Sequence, residues 1–190
     1  MTLTPALFLD RDGVINIDKG YVHQAAECEF VEGIFDLVKR ANLVGYKVIV
    51  VTNQAGIARG YYTEAQFLDF STWMKSEFSR NQAHINEIYF CPHHPVYGLG
   101  EYHIECDCRK PAPGMFLKAQ AAFNIDMQAS VMVGDNISDL EAAIAAGVGN
   151  LNLFISNSID RAITEIEQMQ AKELKIKTLT SLSEVKLPSI

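Results

Sequence analysis

Short apolar runs alternate along the chain with longer amphipathic stretches. Ala6-Leu7-Phe8-Leu9, Lys47-Val48-Ile49-Val50-Val51, Ile88-Tyr89-Phe90 and Ser130-Val131-Met132-Val133 have the composition of strands buried on both faces. Between them, helical periodicity runs from Phe30 to Leu43. Phe67, Phe70, Trp73, Met74 and Phe78 recur at helical spacing behind the capping box Thr63-Glu64-Ala65-Gln66, and this aromatic stripe reads as core. Pro113 starts a helix through Phe123, and a helix from Asp139 to Ala146 is ended by Gly147. Beyond Asn150 the pattern predicts an amphipathic helix over 160–173, with Ile163 and Ile166 inward, and a short strand near Lys175 to Leu179. Strands alternating with helices predict an α/β fold, a Rossmann-like parallel sheet with helices on both faces.

Such sheets build their sites at the carboxyl ends of the strands. After Leu9 come Asp10-Arg11-Asp12-Gly13, where the first carboxylate can attack a phosphorus and the second can carry a proton. The same residues are also ordinary turn formers. After Val51, the hydroxyl of Thr52, the amides of Asn53 and Gln54 and the backbone N–H groups near Ala55-Gly56 form a neutral phosphate cradle. Asp135, after Val133-Gly134, stands opposite Asp10 and Asp12 and suits a hard cation such as Mg²⁺. Lys110, between Arg109 and Pro111, offsets phosphate charge in a pocket of three carboxylates.

Composition narrows the class. The 190 residues are 48% hydrophobic with no linker, so one domain over 1–190 is expected. The N-terminus has no leader pattern and no apolar run spans a bilayer, which predicts a cytoplasmic protein without a membrane partner. A net charge of -7 disfavours nucleic acid, leaving a small-molecule substrate and a monomer as the expectation. Of the four cysteines, three join a histidine as Cys91-Pro92-His93 and Cys106-Asp107-Cys108. Three thiols and an imidazole in two close pairs match a closed tetrahedral Zn²⁺ site. Disulfides compete with this reading, but cytosolic thiols stay reduced and a Cys106 to Cys108 bridge would be strained. With no position open to water the zinc would be structural, pinning the loop over 91–108. His94 would point elsewhere, Cys28 reads as a small buried residue, and His23, His84 and His103 read as ordinary polar positions.

Asp10-x-Asp12, Thr52-Asn53, Lys110 and Gly134-Asp135, in this order, resemble the haloacid dehalogenase superfamily of phosphotransferases from about Ala6 to Gly149. The resemblance implies Asp10 as nucleophile, Asp12 as general acid and base, and Thr52 and Lys110 as phosphate ligands. It also implies Mg²⁺ on the carboxylates of Asp10 and Asp135 and the backbone carbonyl of Asp12. Asp139 either supports this site or is an exposed acid of a first helical turn. The zinc residues, Asp18-Lys19-Gly20-Tyr21-Val22, the run from Thr52 to Gly60 and Cys108-Arg109-Lys110-Pro111 resemble one branch of the superfamily. That branch holds heptose-bisphosphate phosphatases and the phosphatase domain of histidinol-phosphate phosphatase.

The branch implies a sugar bisphosphate that loses its C7 phosphate and keeps its C1 phosphate. Its implied contacts are Asp18, Lys19, Gly20, Tyr21, Thr52, Asn53, Gln54, Arg59, Arg109 and Lys110, with the two arginines on the phosphate that stays. Arg59 also reads as a loop-surface charge. The branch carries a lysine directly after the metal aspartate; this chain has Asn136. No insertion between Gly13 and Thr52 is long enough for a large cap domain, so the zinc loop and Asp18 to Tyr21 would wall an open site. The alternatives are a phosphatase for histidinol phosphate or another small sugar phosphate, and a zinc-stabilised binding module, against which the complete acid set argues.

Overall fold

Each of these runs becomes a strand in the computed structural model, which describes residues 3–155 and 176–188. Strands β1 (Thr4–Leu9), β2 (Lys47–Asn53), β3 (Glu87–Cys91), β4 (Ile125–Gly134), β5 (Asn150–Phe154) and β6 (Ile176–Leu179) form one sheet in the order β3-β2-β1-β4-β5-β6. All neighbours pair in parallel. The helices are α1 (Ile34–Leu43), α2 (Ala55–Ala58), α3 (Glu64–Arg80), α4 (Gly114–Phe123) and α5 (Ile137–Ala145).

Alternation along the strands divides the core in two. Leu7, Leu9, Val48, Val50, Val131 and Val133 face Leu37 and Val38 of α1 and Phe70, Met74 and Phe78 of α3. Ala6, Phe8, Ile49, Val51 and Met132 face Met115 and Phe116 of α4 and Leu140 and Ala143 of α5. Each large side chain buried completely in these layers contributes about 1.5–3 kcal/mol. The aromatic stripe of α3 is core as expected, and its capping box forms, with Thr63 Oγ1 accepting from Gln66 N–H at 3.2 Å.

The strand order creates the site. From β1 the chain steps outward to β2 and β3, then returns to the other side of β1 and steps outward through β4, β5 and β6. The carboxyl ends of β1 and β4 therefore flank a topological switch point, where no crossover covers the crevice. Leu9 pairs with Val133, and the Asp10 N–H donates to the Val133 carbonyl at 3.1 Å, which sets Asp10 beside the end of β4.

Several boundaries differ from the sequence reading. The helix expected from Phe30 begins at Ile34, because Gly33 takes a left-handed φ of 83° at its N-cap and Phe30 bridges Asn16 instead. α5 begins at Ile137, two residues earlier than expected, because Asn136 caps it. β5 and the one-turn α2 were not anticipated. The helix expected over 160–173 lies outside the described residues. Among the described residues no helix is long and apolar enough to cross a membrane.

Candidate active site

β1 delivers Asp10 to a cleft of about 550 Å³ that is also lined by Asp12, Thr52, Arg109, Lys110 and Asp135. Lys110 enters from the loop before α4 and is buried. Its Nζ donates to Asp10 Oδ1 at 2.7 Å and to the Val51 carbonyl at 2.8 Å, and lies 2.6 Å from Asp139 Oδ1. Three acceptors thus meet its three protons. Asn53 holds the Lys110 backbone, its Oδ1 accepting from the N–H at 3.0 Å and its Nδ2 donating to the carbonyl at 3.1 Å. Asn53, expected to contact substrate, lines the cleft and commits its amide to placing Lys110. Asp139 proves to be a buried partner of Lys110 and no exposed helix acid; its other oxygen accepts from Asn136 N–H at 3.0 Å.

Against this one ammonium stand the carboxylates of Asp10, Asp135 and Asp139, with oxygens within 4.8 Å of one another. Burial, offset by Lys110 and reinforced by Asp139, pushes the Asp10 carboxyl up to about 7. Desolvation and the charges of Asp10 and Asp139 push Asp135 up to about 8. Burial acts to lower Lys110, but Asp10 and Asp139 outweigh it and hold the ammonium firmly protonated. An all-oxygen set with more negative charge than its lysine cancels fits a hard divalent cation such as Mg²⁺. Gly13 makes this approach possible. Its φ is +87°, and a Cβ there would stand 2.1 Å from Asp135 Oδ2.

Asp12, two residues past Asp10, sits in a different network. Arg11 Nη2 donates to both its oxygens, at 2.9 and 2.7 Å, Asn16 Nδ2 donates to Oδ1 at 3.0 Å, and Gln54 Nε2 reaches Oδ2 at 3.3 Å. Gln54 Nε2 also donates to Thr52 Oγ1 at 2.7 Å, and its Oε1 accepts from the Tyr62 hydroxyl at 2.5 Å. Gln54, expected to contact substrate, lines the cleft, is buried and orients its neighbours. Arg11, Asn16 and Tyr62 were missed by the sequence reading. Arg11 was hidden because an arginine between two acids looks like surface charge.

The loop after β1 walls the cleft with Asp18, Gly20 and Tyr21. Asp18 Oδ1 accepts from Gly20 N–H at 2.8 Å, and Tyr21 packs edge-on against Tyr61 at 4.7 Å. Two expected contacts point elsewhere. The Lys19 side chain pairs with Glu29 at 2.9 Å on the exposed loop. Arg59 lies 4.1 Å from the centroid of the Tyr97 ring, whose face attracts the guanidinium. Neither lines the cleft. Arg109 does, with Nη1 donating to the His93 carbonyl at 3.2 Å.

That carbonyl belongs to the Cys/His cluster. Cys91 ends β3, beside Asn53 at the end of β2. Its Sγ lies 3.0 Å from Cys108 Sγ and 3.5 Å from Cys106 Sγ, Cys106 and Cys108 are 3.2 Å apart, and His93 Nδ1 is 3.5 Å from Cys108 Sγ. No pair is at the roughly 2.05 Å of a disulfide, and all are free thiols. A tetrahedral zinc about 2.3 Å from sulfur separates its donors by nearly 4 Å, so four converging donors fit it after small adjustment. Burial holds the Cys91 thiol well above its ordinary range, so its thiolate would form here beside a cation. His94 turns away, its Nδ1 accepting from Val96 and Tyr97 N–H at 3.2 and 3.1 Å.

The HAD-hydrolase-like family model matches residues 107–151. A D-glycero-beta-D-manno-heptose-1,7-bisphosphate 7-phosphatase of Vibrio cholerae serotype O1 is 53% identical over 145 residues, 76% of this chain and 78% of that protein. The chain belongs to the heptose-1,7-bisphosphate 7-phosphatase family. A member from Burkholderia mallei, named for the alpha anomer, is 51% identical over 84% of this chain and 84% of its own. The structure of D,D-heptose 1,7-bisphosphate phosphatase from B. bronchiseptica, complexed with magnesium and phosphate, matches with a TM-score of 0.75 and 27% identity over 95% of this chain and 94% of that one.

Asn136 is where this chain lacks the lysine that the resemblance led one to expect. It lines the cleft and caps α5, its Oδ1 accepting from Ser138 N–H at 3.2 Å while Asp139 answers from N3. Asn136→Lys should therefore lower stability by about 0.5–2 kcal/mol through the lost cap, read as a shifted urea midpoint with an unchanged slope. Gly13→Ala should cost stability through the left-handed φ and also activity, since its Cβ displaces the Asp135 carboxylate. Titrating Mg²⁺ into a phosphate-release assay checks this: the variant should need at least about tenfold more Mg²⁺ for half-maximal rate.

Proposed function

We propose that this protein is a Mg²⁺-dependent phosphatase that removes the C7 phosphate of D-glycero-D-manno-heptose 1,7-bisphosphate and leaves the C1 phosphate in place. The observation that carries the chemistry is Asp10 at the switch point, bound to a buried lysine and facing Asp135. The substrate follows from the Vibrio relative, most of whose length this chain spans. We read residues 1–190 as one phosphatase domain, monomeric and cytoplasmic, where the free thiols stay reduced.

Asp10, bonded to Lys110 through Oδ1, attacks the C7 phosphorus in line. An oxygen–phosphorus bond forms as the phosphorus–C7 oxygen bond breaks, and Asp12 gives its proton to the leaving alkoxide. Water then attacks the aspartyl-phosphate while Asp12 takes back a proton, and inorganic phosphate leaves as the bond to Asp10 breaks. Lys110 and Thr52 stabilise charge on the phosphoryl oxygens. Asp10, Asp135 and the Asp12 backbone carbonyl would hold Mg²⁺, which offsets the repulsion between carboxylate and phosphate when bound. Arg109, at the cleft wall, would take the phosphate that stays, with Asp18, Gly20 and Tyr21 on the sugar. Cys91, His93, Cys106 and Cys108 would hold a structural Zn²⁺ that keeps Arg109 and Lys110 in register.

Phosphate release from both anomers of the heptose bisphosphate, from histidinol phosphate and from an aryl phosphate tests the reading. The bisphosphate should give the highest kcat/KM, and a preference for histidinol phosphate would overturn it. Asp10→Asn should fold and lose at least roughly 10³-fold in kcat, because an amide is a poor nucleophile. Elemental analysis should find one zinc per chain that survives the mild chelation which strips Mg²⁺ activity. Cys106→Ser should lose that zinc, lower Tm and reduce turnover through the Lys110 loop.

A further inference from the structure

The mechanism above leaves Arg11 without a task. Its residue is 1% exposed, and its guanidinium lies 5.7 and 5.3 Å from the ring centroids of Phe67 and Phe70. Nε and Nη1 have no hydrogen-bond partner among the described residues. Its hydrogen bonds to Asp12 and Val22 converge on Nη2, which serves both Asp12 oxygens and donates to the Val22 carbonyl at 2.7 Å. A guanidinium so deep and so incompletely paired is a poor way to gain stability, since an apolar side chain would fill the same space without a desolvation cost. Its one saturated nitrogen meets the carboxylate that carries the proton and the residue that ends the Asp18 to Tyr21 loop.

We propose that Arg11 is a positioning residue: it fixes the Asp12 carboxylate in the orientation from which it protonates the leaving alkoxide, and anchors the substrate loop at Val22 to the same nitrogen. The aromatic pair from α3 is the mould that aims the guanidinium. Asn16 at 3.0 Å and Gln54 at 3.3 Å complete the cradle around Asp12. This inference rests on the phosphatase reading and adds to it the group through which Asp12 is aimed.

The test compares an alkyl ester, the sugar bisphosphate, with 4-nitrophenyl phosphate, whose aryl leaving group departs without a proton. Arg11→Met keeps the packing between Phe67 and Phe70 and removes the donors. It should lower kcat on the alkyl ester by about 10- to 100-fold and on the aryl ester by less than about threefold. Arg11→Lys keeps the charge but cannot span Asp12 and Val22 in one planar fork, and should lie between the wild type and Arg11→Met. Equal losses on both esters, or none on the alkyl ester, overturn the proposal. If Arg11→Met does not fold, the alkyl-to-aryl ratio of Arg11→Lys decides: a drop of about threefold or more supports the proposal, and an unchanged ratio overturns it. A wild-type protein inactive on both esters refutes the phosphatase reading itself and takes this inference with it.

Discussion

The ammonium of Lys110 is the charge around which the cleft is organised. Taking an ammonium out of water costs several kcal/mol, and attraction offsets that cost only where every proton is met. Here the three acceptors are Asp10, Asp139 and the Val51 carbonyl, drawn from the turn after β1, from α5 and from β2. Without Lys110, two acids would be left buried and facing each other. Without either acid, the ammonium would be left buried and unpaired. The three elements are thus locked together by a balance that no single substitution can leave intact, and Asp10 receives its position from that balance.

Lys110 is itself held at the end of a chain of constraints that begins at the sheet edge. Asn53 at the end of β2 clamps its backbone, and Cys91, paired with Asn53 in register, ends β3. The same cysteine converges with Cys106 and Cys108, and Cys108 is only two residues from Lys110. Arg109, between them, is tied back to the His93 carbonyl. A four-donor cluster outside the cleft can therefore control two cationic side chains inside it, because the covalent path from Cys108 is too short to absorb a displacement. The Gln54 N–H, donating to the Cys91 carbonyl at 2.8 Å, extends the same control to the phosphate cradle.

The strands and the acids at their ends were legible because they obey local rules. Continuous apolar runs have few alternatives to buried strands, and parallel sheets expose their carboxyl ends at a switch point. What escaped was set by tertiary approach. Asp139 could be read either way until Lys110 arrived beside it. Lys19 and Arg59 carry the charge a phosphate wants, but Glu29 and the Tyr97 face are nearer partners. Asn136 looked like a missing lysine and is a helix cap, a role in which asparagine is among the best residues and lysine is not. The stripe on α3 was correctly read as core, yet no helical period could show that two of its rings would bracket Arg11.

Asp10 and Asp12 share one turn but belong to two charge systems. Asp10 lies in a group that includes one buried ammonium, the buried Asp139 and the more exposed Asp135, a setting that favours a cation and a bond to phosphorus. Among the described residues Asp12 is held by donors, from Arg11, Asn16 and Gln54, and no second carboxylate bonds with it, a setting for a group that must gain and lose a proton in one orientation. Two identical carboxylates acquire different chemistry because each is surrounded differently. Gly13 is what keeps the two systems adjacent, since at a φ of +87° it turns the chain away from β1 at the point where Asp135 passes closest. A side chain there would push the metal-facing acid away from Asp10, and the nucleophile and the proton donor would no longer meet one substrate.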